Sequence, residues 1–249
     1  MKKRLVRGML EVHDLSKWFG GNAVLRRIGF RIDKGEVVGL IGPNGSGKTT
    51  LFNVITGFYR SRTGYVRFEG RDIGRLRPED ICILGLCRTF QITKPFINIP
   101  VIQNVMIGAL SREKSLRMAE KKAEEVLDMV GMLGKRDVLG KNLTVSDRKR
   151  LEIARGLATS PRLLLLDEVM AGLNPNELKE MMQLVRNIRD SGTTLFIIEH
   201  IMTAIMELSQ RIVVLDHGEI IAQGKPAEIS CDPDCIRAYL GEEYLLAKG

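Results

Sequence analysis

The sequence contains no uninterrupted apolar run that approaches the ~20 residues a helix needs to span a bilayer. We therefore expect any role at a membrane to be exercised through a partner. The basic residues near the start, Lys2, Lys3, Arg4 and Arg7, are not followed by the apolar segment of a signal peptide, so we expect no cleaved signal. No internal repeat or low-complexity tract stands out.

Cysteine is scarce, with four residues in 249, at Cys82, Cys87, Cys231 and Cys235. Their spacings match no zinc-binding pattern, and no feature marks the chain as secreted. We therefore expect reduced thiols in a cytosolic setting.

Hydrophobic residues make up 44% of the chain, which is enough for a packed core and excludes general disorder. A length of 249 residues suits one large domain, or one domain with a subdomain. The formal net charge of +8 permits nucleic acid, an anionic membrane face or an acidic ligand as partner, and does not choose among them.

The strongest motif is a phosphate-binding loop, in which a glycine is followed after four residues by Gly-Lys-Thr. With the threonine that follows, it occupies Gly42, Pro43, Asn44, Gly45, Ser46, Gly47, Lys48, Thr49 and Thr50. A short apolar run at 36–41 predicts a buried strand before the loop, and the spacing at 50–56 predicts a helix after it. The loop therefore has the strand–loop–helix context that the motif requires.

Each part of this loop has a predicted role. The glycines lack a Cβ, so successive backbone N–H groups can turn inward around a phosphate. The start of the helix adds further N–H groups and the positive end of its dipole. We expect Lys48 to reach the β- and γ-phosphates and the Thr49 hydroxyl to bind Mg²⁺.

Charged residues follow two further predicted strands. Four leucines at 163–166 lead into Asp167 and Glu168, and the strand predicted at 193–198 ends in Glu199 and His200. In open α/β sheets, ligands bind at the carboxyl ends of the strands. We therefore interpret Asp167, Glu168 and His200 as candidate site residues.

Roughly residues 95–158 are predicted to form an all-helical insertion between two α/β segments, 1–94 and 159–249. Its clearest stripe consists of Leu116, Ala119, Ala123, Val126, Leu127 and Val130. The Thr144-x-x-Asp147 spacing predicts a capped helix start. Near the beginning of the chain, Trp18 and Phe19 are adjacent aromatic residues that suit either a core or stacking on an adenine ring.

Together these features resemble the ATP-binding subunit of an ABC transporter over nearly the whole chain. Residues 42–49 fit Walker A, and 163–167 with the catalytic glutamate Glu168 fit Walker B. Gln91 fits the Q-loop, 171–174 the D-loop and His200 the switch histidine. Phe19, or less well Trp18, fits the adenine-stacking aromatic residue.

The resemblance implies one ABC ATPase domain over 1–249, an α/β P-loop NTPase with a RecA-like core, an antiparallel β subdomain and an inserted α-helical subdomain. It also implies ATP and Mg²⁺ as cofactors, with Thr49, Gln91 and Asp167 around the metal. The implied partners are membrane permease subunits, a second ATP-binding subunit in a head-to-tail homo- or heterodimer, and indirectly a solute-binding protein. The implied location is the cytoplasmic face of the cell membrane, with no nucleic acid bound.

Two stretches indicate a subfamily. Residues 85–91 and 236–242 are similar to the Q-loop region and the C-terminal helix of branched-chain amino acid transporters, in particular the larger of their two ATP-binding subunits. The alternatives are a lipid or lipopolysaccharide export ATPase, and a soluble ABC ATPase acting on nucleic acid or ribosomes. The latter would suit the net charge, but such proteins typically carry two cassettes or long coiled-coil insertions.

The sequence departs from the family at the signature motif. Where the family usually has Leu-Ser-Gly-Gly-Gln, this chain has Leu143 followed by Thr144, Val145, Ser146 and Asp147. In the family, this motif faces the γ-phosphate held by the other subunit of the dimer. Val145 and Ser146 replace glycines that permit close backbone approach, and Asp147 adds a negative charge, so we predict a weakened composite site.

Overall fold

A computed structural model describes residues 8–90 and 95–240 of the chain, with side chains through residue 238. It divides into two compact units, one formed by the described residues up to Pro78 and from Ile205 onward, the other by Glu79–Ala204. The division predicted from the sequence, with 95–158 as a separate helical subdomain, remains a prediction.

The described residues form strands and α-helices, numbered separately in chain order. The strands are β1 (Leu10–Phe19), β2 (Asn22–Ile32), β3 (Val37–Ile41), β4 (Thr63–Phe68), β5 (Arg71–Asp72), β6 (Leu86–Arg88), β7 (Leu163–Asp167), β8 (Thr194–Ile198), β9 (Arg211–Asp216) and β10 (Glu219–Gly224). The α-helices are α1 (Lys48–Ile55), α2 (Pro78–Leu84), α3 (Val101–Ala109), α4 (Leu116–Met129), α5 (Val145–Ala158), α6 (Pro175–Asp190), α7 (Met202–Leu208), α8 (Pro226–Ile229) and α9 (Pro233–Leu240).

In the first unit, β1 pairs in antiparallel fashion with both β2 and β4, and β4 pairs with β5. Leu10 lies opposite Ile32 on one side and Phe68 on the other, and all three side chains are buried. β1 finds partners in β2 from Leu10 to Phe19, with register shifts between Val12 and Trp18. This sheet confirms the predicted antiparallel β layer.

Among the remaining strands of the first unit, β3 leads directly into the phosphate loop. All five residues of β3 are buried, and β3 pairs in parallel with β9. β10 then pairs in antiparallel fashion with β9. A fully buried parallel strand requires an apolar sequence on both faces, and the Val-Val-Gly-Leu-Ile of β3 meets that requirement.

In the second unit, β6, β7 and β8 form parallel pairs with β7 between the other two. Every residue of β7 and β8 is buried. Arg88 lies opposite Leu165, and Asp167 lies opposite Ile198, so these strand ends are adjacent. The predicted four-leucine strand is confirmed, and it pairs with a strand on each side.

The helical stretch of the second unit packs α3 against α4 and α5. Ala119, Ala123, Val126 and Leu127 form the buried face of α4, as predicted. The inclusion of Leu116 in that stripe is wrong, because Leu116 occupies the first position of the helix and is 67% exposed. Within 8–90 and 95–240, no helix combines the length and the apolar character that a membrane crossing requires.

Candidate functional site

The phosphate loop connects the buried strand β3 to helix α1. A Cβ at Gly42 would lie 2.0 Å from the carbonyl oxygen of Leu215, so no side chain fits there without moving the backbone. Gly47 caps α1 with a φ of 110°, a conformation that glycine adopts without strain. Gly45 also has a positive φ, of 80°. All three glycines are therefore required by the local geometry, Gly42 by close approach and the other two by conformation.

Lys48 is the buried cation of this loop. Its Nζ donates hydrogen bonds to the carbonyl oxygens of Gly42, at 2.7 Å, and Pro43, at 2.9 Å. These bonds hold the Lys48 side chain against the beginning of the phosphate loop. The ammonium group is thus positioned beside the backbone that would surround a phosphate.

The start of α1 favours an anion. Its first turn contains no acidic residue, and Gly47 provides no side-chain cap for the leading N–H groups. Those N–H groups and the helix dipole attract negative charge. Thr49 is exposed and Thr50 half-buried, so the Thr49 hydroxyl is accessible from solvent.

Neighbouring segments of the first unit hold the loop in shape. The Gly218 N–H donates to the carbonyl oxygen of Ser46 at 3.0 Å, and the Arg26 N–H donates to that of Gly218 at 2.7 Å. The turn between β9 and β10 therefore connects the loop to β2.

A cavity of about 860 Å³ also borders the loop. Its wall includes the carboxylates of Asp216 and Asp234, and Arg237 lies 3.2 Å from Asp234. Because the acidic groups offset the arginine, the charge of this cavity does not favour a polyphosphate.

Phe19 and Trp18 have different surroundings. The Phe19 ring is 44% exposed and meets the edge of the Tyr59 ring at a centroid distance of 5.2 Å. Lys17 Nζ lies 4.8 Å from the centre of the Phe19 ring. Trp18 instead lines a cavity of about 880 Å³ together with residues such as Arg26. This arrangement favours Phe19 over Trp18 as the stacking residue.

Tyr59 was not identified from the sequence. It follows α1 and is separated from Phe19 by 40 positions, so only the folded chain brings the two rings together. The adjacent aromatic residues Phe58 and Tyr59 behind a predicted phosphate-loop helix were the available signal.

In the second unit, Asp167 ends β7 with only 1% of its surface exposed. Arg88 Nη2 donates to the Asp167 carboxylate at 2.8 Å. The Asp167 backbone N–H donates to the Thr89 hydroxyl at 3.0 Å. Burial lowers the pKa of the Arg88 guanidinium, and the Asp167 charge opposes that shift. Residues at the end of β6 thus fix the Asp167 carboxylate, a role that sequence reasoning missed.

The Asp167 carboxylate and the Thr49 hydroxyl have the chemistry of Mg²⁺ ligands. An aspartate and a threonine hydroxyl are hard oxygen ligands, and Mg²⁺ usually takes one or two carboxylates together with phosphate oxygens. Across the part of the chain that the structure describes, no group of three His, Cys, Asp or Glu side chains could hold a metal by itself. Gln91, the third predicted metal ligand, lies outside the described residues.

Glu168 and His200 meet at the ends of β7 and β8. Glu168 Oε1 lies 2.6 Å from His200 Nε2. The Glu168 backbone has a φ of 52°, unusual for a residue with a side chain, and its N–H donates to the Ile198 carbonyl at 2.9 Å. Lys149 Nζ donates to the Glu168 carbonyl oxygen at 3.1 Å. The predicted acid and the predicted histidine are therefore brought together by the fold.

Glu199 is a buried acid beside this pair, only 1% exposed. Its Oε1 accepts a hydrogen bond from the Met170 N–H at 2.7 Å. Burial raises the pKa of Glu199 to about 7, with the nearby Glu168 charge acting in the same direction. The Met170 bond and the Lys149 charge oppose that shift. Glu199 connects the end of β8 to the turn that follows Glu168.

The degenerate signature segment forms the N-terminus of α5. Thr144 accepts a hydrogen bond from the Asp147 N–H at 3.2 Å, and the Asp147 carboxylate accepts one from the Thr144 N–H at 3.4 Å. The predicted cap is therefore confirmed as a full capping box. Val145 is 63% exposed, whereas Ser146 is buried.

Lys135 compensates the charge that Asp147 introduces. Its Nζ lies 2.6 and 2.8 Å from the two carboxylate oxygens. Burial raises the pKa of Asp147, but the hydrogen bonds from Lys135 and Thr144 outweigh it and the net shift is downward. The carboxylate thus faces a lysine and its own helix start.

Comparison with known proteins identifies the family. The family model described as "ABC transporter" matches residues 25–171, and one described as "Branched-chain amino acid ATP-binding cassette transporter" matches 219–244. The high-affinity branched-chain amino acid transport ATP-binding protein LivG of Escherichia coli is 38% identical over 250 residues, which cover 94% of this chain and 98% of LivG. The corresponding protein BraF of Pseudomonas aeruginosa is 36% identical, with 95% and 99% covered.

A lipopolysaccharide export protein and a solved structure extend the comparison. The lipopolysaccharide export ATP-binding protein LptB of Acidithiobacillus ferridurans is 33% identical over 236 residues, with 95% of this chain and 98% of LptB covered. The crystal structure of an ADP-bound ATP-binding cassette from an ABC transporter matches with a TM-score of 0.85 and 31% identity. It covers 94% of this chain and 99% of that cassette. These matches confirm the predicted fold class.

Proposed function

Because the chain belongs to the ABC transporter family of ATP-binding subunits, we propose that it hydrolyses ATP to drive uptake of branched-chain or related amino acids. The observation that carries this proposal is the phosphate loop, with Lys48 beside its backbone, in a chain whose residues 219–244 match the branched-chain amino acid cassette family. The lipopolysaccharide alternative is less favoured, since LptB is less similar than LivG.

The nucleotide is held first by the loop. The backbone N–H groups of Gly42 and of residues 44–47, together with the ammonium of Lys48, bind the β- and γ-phosphates, and Phe19 stacks on the adenine ring. Thr49 and Asp167 are the described residues that would hold Mg²⁺, with Gln91 as a further ligand. The bound metal would neutralise charge on the phosphate oxygens.

Hydrolysis then depends on the acid–histidine pair. Glu168 orients the attacking water and accepts its proton, and its short contact with His200 keeps the carboxylate in place. His200 contacts the γ-phosphate. Because a strand end and a hydrogen bond fix this carboxylate, little reorganisation is needed when the water arrives.

The subunit works in an assembly. Two ATP-binding subunits pair head to tail, so that each nucleotide lies between the Walker motifs of one and the signature of the other. The permease subunits place the assembly at the cytoplasmic face of the membrane, and a solute-binding protein acts on it indirectly through them. The absence of nucleic acid among the partners remains a prediction.

Replacement of Glu168 by glutamine tests the enzymatic part. We expect turnover to fall by about 100-fold or more, because general-base catalysis contributes that order of rate enhancement. ATP binding should persist and trap a dimer that is visible by size-exclusion chromatography. The matched control is Glu125→Gln, an exposed acid on α4. Unchanged turnover in Glu168→Gln would refute the assignment.

Transport is tested with the full complex in proteoliposomes. We expect ATP to drive uptake of labelled leucine, isoleucine or valine when the permease subunits and the solute-binding protein are present. A complex that hydrolyses ATP but extracts lipopolysaccharide instead would replace the amino acid assignment and leave the ATPase assignment intact.

A further inference from the structure

Two cysteines flank one tight turn in the second unit. Cys82 belongs to the last turn of α2, and Cys87 lies in the middle of β6. Gly85, with a φ of 102°, makes the tight connection that returns the chain to the start of the strand. The Gly85 N–H donates to the Cys82 carbonyl oxygen at 2.9 Å, which closes this turn. The side chains of Cys82 and Cys87 interact with each other, and both residues are partly exposed to solvent.

A cation and a hydroxyl complete the cluster. Arg112 donates from Nη2 to the Cys82 carbonyl oxygen at 3.4 Å and from Nε to the Thr159 carbonyl oxygen at 3.1 Å. The hydrogen bond from Cys87 lowers the pKa of Cys82, and Thr159 and Arg112 add to that effect, against the burial that raises it. The same hydrogen bond and burial raise the pKa of Cys87.

The two thiols therefore have complementary chemistry. The thiolate is the reactive form of cysteine, and oxidant-sensitive cysteines combine a stabilised thiolate, solvent access and a neighbouring thiol. Cys82 has the first two properties, and Cys87 is the neighbouring thiol.

The other two cysteines lack this arrangement. Cys231 is exposed beside the Ser230 hydroxyl, at 3.8 Å. Burial, followed by the charges of Asp232 and Asp234, raises the pKa of Cys235 to about 12. This second pair has a similar spacing in the sequence and serves as an internal comparison.

We propose that Cys82 and Cys87 form a peroxide-reactive dithiol that closes reversibly to a disulfide. The Cys82 thiolate attacks one oxygen of hydrogen peroxide, the O–O bond breaks, and the hydroxide that leaves takes up a proton to become water. Cys82 is then a sulfenic acid. The Cys87 sulfur attacks the Cys82 sulfur, the S–O bond breaks, and a second water leaves with the Cys87 proton. The two sulfurs lose two electrons in all, and the peroxide gains them.

Closure of this disulfide acts on β6, the strand whose end bonds to Asp167 of β7. Cys87 is followed directly by Arg88 and Thr89, which bond to the Asp167 carboxylate and backbone. A covalent link from β6 to α2 displaces this part of β6 relative to Asp167. We therefore expect slower ATP turnover in the oxidised protein, an effect that rests on the proposed function, whereas disulfide formation itself does not.

Peptide mapping tests the modification directly. Trypsin does not cleave between Arg77 and Pro78, so residues 76–88 form one peptide that contains both thiols. Reduced protein is treated with equimolar hydrogen peroxide, alkylated with iodoacetamide and digested. We expect peptide 76–88 to escape alkylation and to be lighter by two hydrogen atoms. Reduction before alkylation should restore both labelled thiols.

Peptide 212–237 carries Cys231 and Cys235 and is the comparison within the same digest. Cys82→Ser should abolish the mass loss, and Cys231→Ser should leave it unchanged. Preferential oxidation of peptide 212–237, or sulfonic acid on Cys82 with Cys87 still free, would overturn the proposal. If the disulfide forms but ATP turnover of the reconstituted complex stays constant, the link to Asp167 is wrong and the modification site stands.

Discussion

Replacement of Glu199 by glutamine should remove a pH dependence of stability. Burial raises the pKa of this carboxyl from 4.5 to about 7, so between these values the folded protein binds a proton that the unfolded chain has released. The free energy of unfolding then decreases as the pH rises through that window and becomes level above it. A shift of this size corresponds to a loss of about 3 kcal/mol.

Glutamine keeps the shape and one acceptor of the side chain. Its carbonyl oxygen can still receive the Met170 N–H, whereas its amide cannot ionise. The new NH₂ group lies where Glu199 Oε2 has no hydrogen-bond partner among the described residues, which costs about 1–3 kcal/mol at every pH. The variant should therefore be less stable than the original protein at pH 5 and should regain about 3 kcal/mol relative to it by pH 8.

Urea unfolding between pH 5 and 8 measures this difference. Lys149, Glu168 and His200 surround the site in both proteins, so their own titration largely cancels when the variant is subtracted from the original. Glu125→Gln is the control and should run parallel to the original. Parallel curves for Glu199→Gln would show that this carboxyl is ionised in the folded state across the whole range, and would refute the reasoning.

Three further predictions concern the nucleotide and the signature segment. Tyr59→Ala should weaken ATP binding about 3-fold to 10-fold in a fluorescent-nucleotide titration, because the Phe19 ring loses its edge contact, while Tyr59→Phe should bind normally; equal affinity in both variants would count against this role. Asp147→Ala should lower the free energy of unfolding by about 1 kcal/mol near neutral pH. This loss should fade in acid, where the carboxylate with its lowered pKa becomes protonated and releases Lys135; a loss that persists there contradicts the pairing. The chain alone should hydrolyse ATP slowly, because both sites of a homodimer would use 144–147; fast cooperative hydrolysis would disprove the weakened signature.

Features coded within a few residues were predictable from the sequence. The phosphate loop and the helix cap at Thr144 each depend on contacts with neighbouring backbone, and both have the predicted local structure. Strand ends that deliver acids to one sheet edge were also predictable, because parallel strands meet there. Asp167 and Glu168 follow that rule.

Contacts made by residues far apart in the chain were not predictable. Lys135 reaches Asp147 from a short 3₁₀ helix, Leu133–Lys135. Tyr59 reaches Phe19 across the first unit, and Arg88 reaches Asp167 from a neighbouring strand. Each depends on packing that no local pattern encodes. The sequence therefore suggested an uncompensated charge at Asp147, where the structure has a paired one.

The left-handed backbone of Glu168 has a consequence for the evolution of this subunit. A residue with a side chain at a φ of 52° costs on the order of 1–3 kcal/mol, and glycine would remove that strain. Selection for thermal resistance alone would thus favour glycine at position 168, together with the loss of the carboxylate. The strain is retained only under selection for turnover, so libraries screened for stability will accumulate inert subunits at this position.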